Sequence, residues 1–535
     1  MLDYAFDIDV RDSSLMRGAA TLRLAVPPCP RGACAAPGLA LDLIGRMPGS
    51  RFGMAVDSVL ATPDVGGGAL VPLRWRHAAD RLTIDMPTAP AVAAPSAPGA
   101  AGSAVWRVRI VYHGQPADGL IRSTDAAGRT AYFGDNWPER ARHYLPTRDH
   151  PSDKATVTWS VTAPAALGVV ANGRFEARAC AGDVCRTRYR ADVPISTKVM
   201  VFGAAPFAVE TAGEVVGGGG RRVPVESWVF ADERAAGFRE YASAVPIVAF
   251  FDSLLAPYPF EKLANVQSRT RFGGMENAGA IFYNARSARG DGSQEGLLAH
   301  EIAHQWFGNW ATEASWSHLW LSEGFATYLA HVWAAHRRGD AALRTGMAAD
   351  RATVAAFLAR TRVPVVDTVR TEPLEMLDAN VYPRGAWVLH LLRERAGERV
   401  FWNALRRYLL RHGGRTAVTA DLQAAFEAES GEDYGTFFAQ WTRRSEIPAI
   451  AAAWRYDAAA REVVVTLRQS QPGGAFAFPL DIGLVGVGGA AQVARVDVDA
   501  SAHTFRLPAA SRPARLVLDP GVRMLFSGGE VAEQP

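Results

Sequence analysis

The stretch His300-Glu301-Ile302-Ala303-His304 constrains this chain more than any other. Residues four apart lie one above the other on a helix face, so His300 and His304 present two imidazoles to one point, with Glu301 leaning past it. Two imidazoles suit zinc, and a catalytic zinc takes three protein ligands and keeps one position open. The third ligand should be a carboxylate from elsewhere. Glu323 lies nineteen residues after His304, far enough for a helix to end, a loop to turn and a second helix to pass alongside. A helix can carry two histidines on one face with no metal. Here Leu297, Leu298, Ile302 and Ala303 make the helix apolar, and two His and a Glu inside it are costly to bury unsatisfied.

The run Gln305-Trp306-Phe307-Gly308-Asn309 continues this stretch, and Leu319-Trp320-Leu321 precedes Glu323-Gly324-Phe325-Ala326. Together they resemble the H-E-x-x-H-x18-E signature of the M1 family of zinc aminopeptidases, the gluzincins. Upstream, Gly273-Gly274-Met275-Glu276-Asn277 resembles the family's G-x-M-E-N exopeptidase motif. Downstream, Tyr382-Pro383-Arg384-Gly385 resembles its Y-x-K-G motif, with Arg in place of Lys. The resemblance spans roughly residues 1 to 525.

It implies a multidomain α+β protein: a saddle-like β domain over 1–207, a thermolysin-like, mainly α catalytic domain over 208–445, and a small C-terminal β-sandwich over 446–535. It implies one zinc per chain on His300, His304 and Glu323, with Glu301 as general base on the zinc-bound water and Tyr382 as oxyanion donor. Glu276 would hold the substrate's α-ammonium, and Gly273, Gly274, Met275 and Asn277 would line an extended peptide. Many relatives place a Gln or Glu five residues before the position of Arg142 to help hold that amine. Here the position is Trp137, and Asp135 or Glu139 would have to serve. Arg384 is open between support of the tetrahedral intermediate and a structural ion pair. Thr327, four residues after Glu323, is open between a bond to a zinc-bound His and a surface role. Larger relatives carry a further C-terminal helical domain, so a more open cleft is expected.

The residues themselves support this layout. Asp3–Val10 and Ala20–Val26 alternate with period two, as strands do, and Arg107–Tyr112 and Ala155–Val161 read likewise. Residues 87–103 are low-complexity Ala/Pro/Gly, read as a surface loop. Patterning turns helical after about residue 208, with a helix from near Gln294, another from about Ser322, and one opened by Pro383, a residue suited to a first helical turn. Strand patterning returns after Ile447.

With Lys+Arg at 57 and Asp+Glu at 54, the net charge of +3 gives no nucleic-acid footprint. No apolar run reaches the length of a membrane span. The start Met1-Leu2-Asp3-Tyr4 has no leader character. The four cysteines fall in two equal spacings, Cys29/Cys34 and Cys180/Cys185. Local disulfides fit both, with free thiols or a second, structural zinc as the alternatives; disulfides persist outside a reducing cytosol, so a periplasmic or secreted location with its leader removed is expected, with the cytoplasm as the alternative.

The functional reading is an aminopeptidase acting on peptides with a free N-terminus. A thermolysin-like endopeptidase, an epoxide hydrolase on the same scaffold, and an inactive peptide-binding module are the alternatives. Glu276 argues against the first, and the intact His300, Glu301, His304, Glu323 and Tyr382 against the last. The sequence carries no information on oligomeric state or on which N-terminal residue is preferred.

Overall fold

The computed structural model describes every residue except 13, 27–37, 65–67, 88–103, 125–127, 218–219, 490 and 535. The Cys29/Cys34 pair and the low-complexity run from residue 88 on lie outside the described residues. The protein is a multidomain α+β chain with many sheets. It divides into two compact units, Met1–Ser315 with Leu409–Ala417, and Trp316–Tyr408 with Val418–Pro535.

The first unit holds an eight-stranded sheet in the order Arg174–Ala181, Val184–Ser196, Lys154–Pro164, Asp3–Asp9, Met16–Val26, Ala104–Gln115, Gly53–Pro63, Val71–Pro72. Its alternation is plain in Asp3–Asp9, where Tyr4, Phe6 and Ile8 are buried and Ala5, Asp7 and Asp9 stand on the wetter face. Asp3–Asp9 pairs antiparallel with Met16–Val26 and parallel with Lys154–Pro164. Cys180 and Cys185 face each other across the outermost hairpin and are joined by a disulfide.

A five-stranded sheet follows, ordered Phe207–Val216, Arg222–Phe230, Leu263–Ser268, Ala280–Asn284, Gly274–Met275. Leu263–Ser268 is buried along its whole length and pairs parallel with a neighbour on each side, as a strand covered on both faces does. Gly274–Met275 is short, lies at the sheet's edge, and pairs antiparallel with Phe282 and Tyr283. The helix expected from near Gln294 is Glu295–Ala303, with Gln294 at its cap.

The second unit opens with the helices Trp320–Arg338 and Asp340–Leu358. Helix Pro383–His412 starts at its proline, as expected, and turns sharply at Gly397, where φ is 75°. Thr419–Ser430 is a further helix, ended by the left-handed Gly431. Strands then build a four-stranded sheet and a three-stranded sheet, including the expected Glu462–Gln469, Phe478–Val485 and Arg515–Leu518. Among the described residues no helix is long and apolar enough to cross a membrane.

One contact fixes the second unit's front end. A Cβ on Gly324 would stand 2.8 Å from the Gly385 backbone, and one on Gly385 would stand 2.9 Å from Gly324 Cα. Two glycines therefore let the first turn of the Glu323 helix meet the start of the helix that follows Tyr382. Overpacking of such a contact costs about 1–3 kcal/mol. Gly324→Ala should lower the unfolding temperature in scanning calorimetry. Gly296→Ala, whose Cβ would meet nothing within 4 Å on its own helix, should leave it unchanged or raise it. Equal behaviour of the two variants would remove this account.

Candidate active site

Helix Glu295–Ala303 packs Leu298, Ala299, Ile302 and Ala303 into the interior, and this face carries His304, 1% exposed, and Glu301, 5% exposed, in with it. His304 Nδ1 donates to the Phe307 carbonyl at 3.1 Å. That bond leaves Nε2 as the lone-pair nitrogen, the arrangement that orients a metal-binding imidazole. His304 Nε2 and His300 Nε2 lie 3.1 Å apart. Two nitrogens bound tetrahedrally at about 2.0–2.1 Å from one zinc would be separated by about 3.3 Å. His300, His304 and Glu323 form a group that could hold a metal ion, their ligand atoms within 4.8 Å of one another. The donor set, two imidazoles and a carboxylate, fits zinc.

Glu276, Glu301 and His304 converge in the same way, with ligand atoms within 4.8 Å of one another. The edge strand achieves this by passing directly over Glu301. A Cβ on Gly274 would lie 2.2 Å from Glu301 Oε1, so no side chain fits there. Gly273 has open space where a Cβ would be, and its carbonyl accepts from Asn284 N at 2.9 Å. Met275 is buried, and Asn277 forms the following turn through its backbone, donating to the Met275 carbonyl at 2.8 Å.

Glu276 is 5% exposed, and its Oε1 has no hydrogen-bond partner. Arg271 does not serve it, because Arg271 donates to Asp118 at 2.6 Å. The cation near it is Lys198, whose Nζ lies 4.0 Å from Glu276 Oε1 and 2.5 Å from Glu313 Oε1. Burial pushes the Glu313 carboxyl up, and Lys198 draws it back down.

The residues after His304 brace this arrangement. The Gln305 amide donates to the Glu276 carbonyl at 2.9 Å and accepts from Gly279 N at 2.9 Å. Asn309 Nδ2 donates to the same Glu276 carbonyl at 2.5 Å. Lys154 Nζ, on a half-buried side chain, holds the next turn through the Asn309 and Trp310 carbonyls at 2.9 and 2.7 Å. Burial lowers its pKa to about 7.

Sequence reasoning had no part for Lys198 or Glu313. A signal existed: Lys198 stands in the apolar run Val199-Met200-Val201-Phe202, where a buried cation needs a counter-charge.

The remaining expected residues fall as follows. Asp135 is fully buried against Arg140 at 2.7 Å, and Glu139 pairs with Arg142 at 2.6 Å. Trp137 is packed edge-on against Phe272. Glu323 is buried in the first turn of its helix, and Tyr382 is half-buried immediately before Pro383. Among the described residues Arg384 makes no ion pair. Fully buried, it donates to the carbonyls of Val363, Arg444, Ser445 and Glu446 and to Asn380 Oδ1, at 2.7–3.3 Å. It is a structural clamp on chain turns, and burial lowers its pKa to about 10. Among the described residues the buried Thr327 hydroxyl has no hydrogen-bond partner.

Residues 240–441 match the peptidase family M1 domain. The chain is 28% identical over 331 residues to aminopeptidase M1 of Arabidopsis thaliana, covering 59% of this chain and 37% of that protein. It is 28% identical over 334 residues to glutamyl aminopeptidase of Bos taurus, covering 59% of this chain and 34% of that protein. The match thus spans little more than a third of these curated relatives. The M1 zinc metallopeptidase of Deinococcus radiodurans superposes with a TM-score of 0.67 at 27% identity, covering 84% of this chain and 94% of that one. A mutant of it bound to a Tyr-Ser-Ala substrate superposes equally well, at 26% identity over 82% of this chain and 93% of that one. Domain match, relatives and solved structures agree, and with the His/His/Glu group in place the chain is similar to the peptidases of family M1, most directly over residues 240–441.

Proposed function

We propose that the chain is a zinc aminopeptidase that removes the N-terminal residue from peptides. The observation that carries this reading is the convergence of Glu276, Glu301 and His304 with Glu276 Oε1 buried and without a hydrogen-bond partner among the described residues. A buried carboxylate oxygen without a donor is costly. An α-ammonium, a cation at neutral pH with a pKa of about 7.7–8.0, satisfies it.

His300, His304 and Glu323 hold the zinc. When bound, zinc supplies Lewis-acid polarisation of the scissile carbonyl and acidifies a water to a pKa of about 7. Glu301 takes the water's proton and passes it to the leaving amine. Glu276 Oε1 accepts the α-ammonium and so fixes the peptide's register at its first residue. The edge strand Gly274–Met275 receives the peptide main chain as an added strand. The Tyr382 hydroxyl donates to the oxygen on which charge grows as the carbonyl becomes tetrahedral, a contribution of about 2.7–4 kcal/mol for a single donor. The Cys180–Cys185 disulfide supports residence in an oxidising compartment. The domain layout that accompanies this reading is a β domain over 1–207, a thermolysin-like catalytic domain over 208–445, and a β-sandwich over 446–535.

Glu301→Gln should keep about one zinc per chain by metal analysis and lose nearly all turnover of an aminoacyl-arylamide, since it removes a base and not a ligand. Turnover near the wild-type rate would end the general-base assignment. Tyr382→Phe should reduce kcat by about 10²–10³ with little change in KM. A change confined to KM would reassign Tyr382 to substrate binding. Free-amine peptides should be trimmed one residue at a time and N-acetylated peptides left intact, with Glu276→Ala losing kcat/KM on free-amine substrates while retaining zinc. Efficient cleavage of N-acetylated peptides would favour an endopeptidase instead.

A further inference from the structure

We infer that Glu313 acts as a decoy counter-ion: by occupying Lys198, it keeps the Glu276 carboxylate free for the substrate's amine. The inference rests on Glu276 as the amine anchor. Glu276, Glu313 and Lys198 are all buried in one cluster, with side chains 6%, 0% and 1% exposed. Lys198 Nζ sits 2.5 Å from Glu313 Oε1, a charge-assisted bond, and 4.0 Å from Glu276 Oε1, beyond hydrogen-bond reach. Two carboxylates and one ammonium leave the cluster one negative charge in excess. An incoming α-ammonium cancels it, giving two cations and two anions. Glu276 Oε1, which faces Lys198 at 4.0 Å, is buried without a hydrogen-bond partner among the described residues.

Removal of the Glu313 charge changes this balance. The Glu276 carboxylate is then 4.0 Å from the Lys198 ammonium with the Glu313 charge gone, and a long, flexible ammonium stem can close that distance. The pair Lys198–Glu276 would neutralise the anchor internally, and the substrate's amine would have to displace it. Glu313 and Lys198 touch neither zinc nor substrate in this account. They are positioning residues that set the charge seen by the amine.

The test is steady-state kinetics on an aminoacyl-arylamide with the zinc-loaded full chain, comparing Glu313→Gln with the double variant Lys198→Met/Glu313→Gln. Glu313→Gln should raise KM about tenfold or more and change kcat less than about threefold, the pattern of lost ground-state binding. The double variant removes the competing cation and should bring KM back to within about threefold of wild type. A purely structural role predicts the opposite, since the double variant would be damaged at least as much as the single one. An unchanged KM in Glu313→Gln, a loss shared equally by kcat and KM, or no rescue in the double variant would overturn the inference. If Glu313→Gln does not fold, the double variant decides alone, and a tenfold higher KM in it overturns the proposal. Glu276→Ala belongs in the same series. If it keeps full kcat/KM on the free amine, the anchor reading itself has failed. If it loses kcat/KM while Glu313→Gln matches wild type, only the decoy role has failed.

Discussion

The site depends on one amide. Gln305 follows His304 directly, and its side chain reaches the Glu276 carbonyl and Gly279 N. The helix bearing His300, Glu301 and His304 is thereby tied to the strand that carries Glu276. At Gly274 the two elements also meet in van der Waals contact, where nothing larger than hydrogen fits against Glu301. Asn309 repeats the bond to the same carbonyl, and Lys154 anchors the turn that places Asn309. Gln305 and Asn309 are fully buried, so their bonds are held in a low-dielectric setting where breaking one leaves an unsatisfied group. The histidines therefore sit on a braced frame.

Much of this was legible in the sequence, for reasons that can be named. The helical spacing of His300 and His304 is a local property, and the helix begins where Gln294 placed it. Pro383 opens its helix for an equally local reason, its fixed φ and missing N–H. Strands such as Asp3–Asp9 announce themselves by alternation. The parallel partner of that strand, Lys154–Pro164, lies some 150 residues away and leaves no local trace. The same holds for Lys198 and Glu313, 115 positions apart. Arg384 illustrates a different limit. Its place in a motif invited a chemical role, yet five acceptors scattered over 363–446 claim the guanidinium. Composition cannot show which of two demands on one side chain wins.

The second unit solves a different problem. Glycine within a helix costs about 1 kcal/mol relative to alanine, and Gly324 and Gly385 both accept it. In return two helix backbones come within contact distance, and the residues beside them, Glu323 and Tyr382, inherit fixed starting points. Arg384, next to Gly385, pins the same helix start to the turns at 363 and 444–446. A proposed metal ligand and a proposed hydrogen-bond donor are thus carried by backbone whose freedom has been removed twice over.

The outermost hairpin of the eight-stranded sheet has a consequence of another kind. Arg174–Ala181 is exposed along its entire length and ends the sheet on that side. A sheet border of this length is a template on which another polypeptide can add a strand. Here it is studded with Arg174, Glu176 and Arg178, whose ion pairs and hydrogen bonds crowd the strand with charge, and the Cys180–Cys185 bridge closes its tip. Such a border discourages self-association during folding and storage, so the eight-stranded sheet can stay open on one side without seeding aggregates.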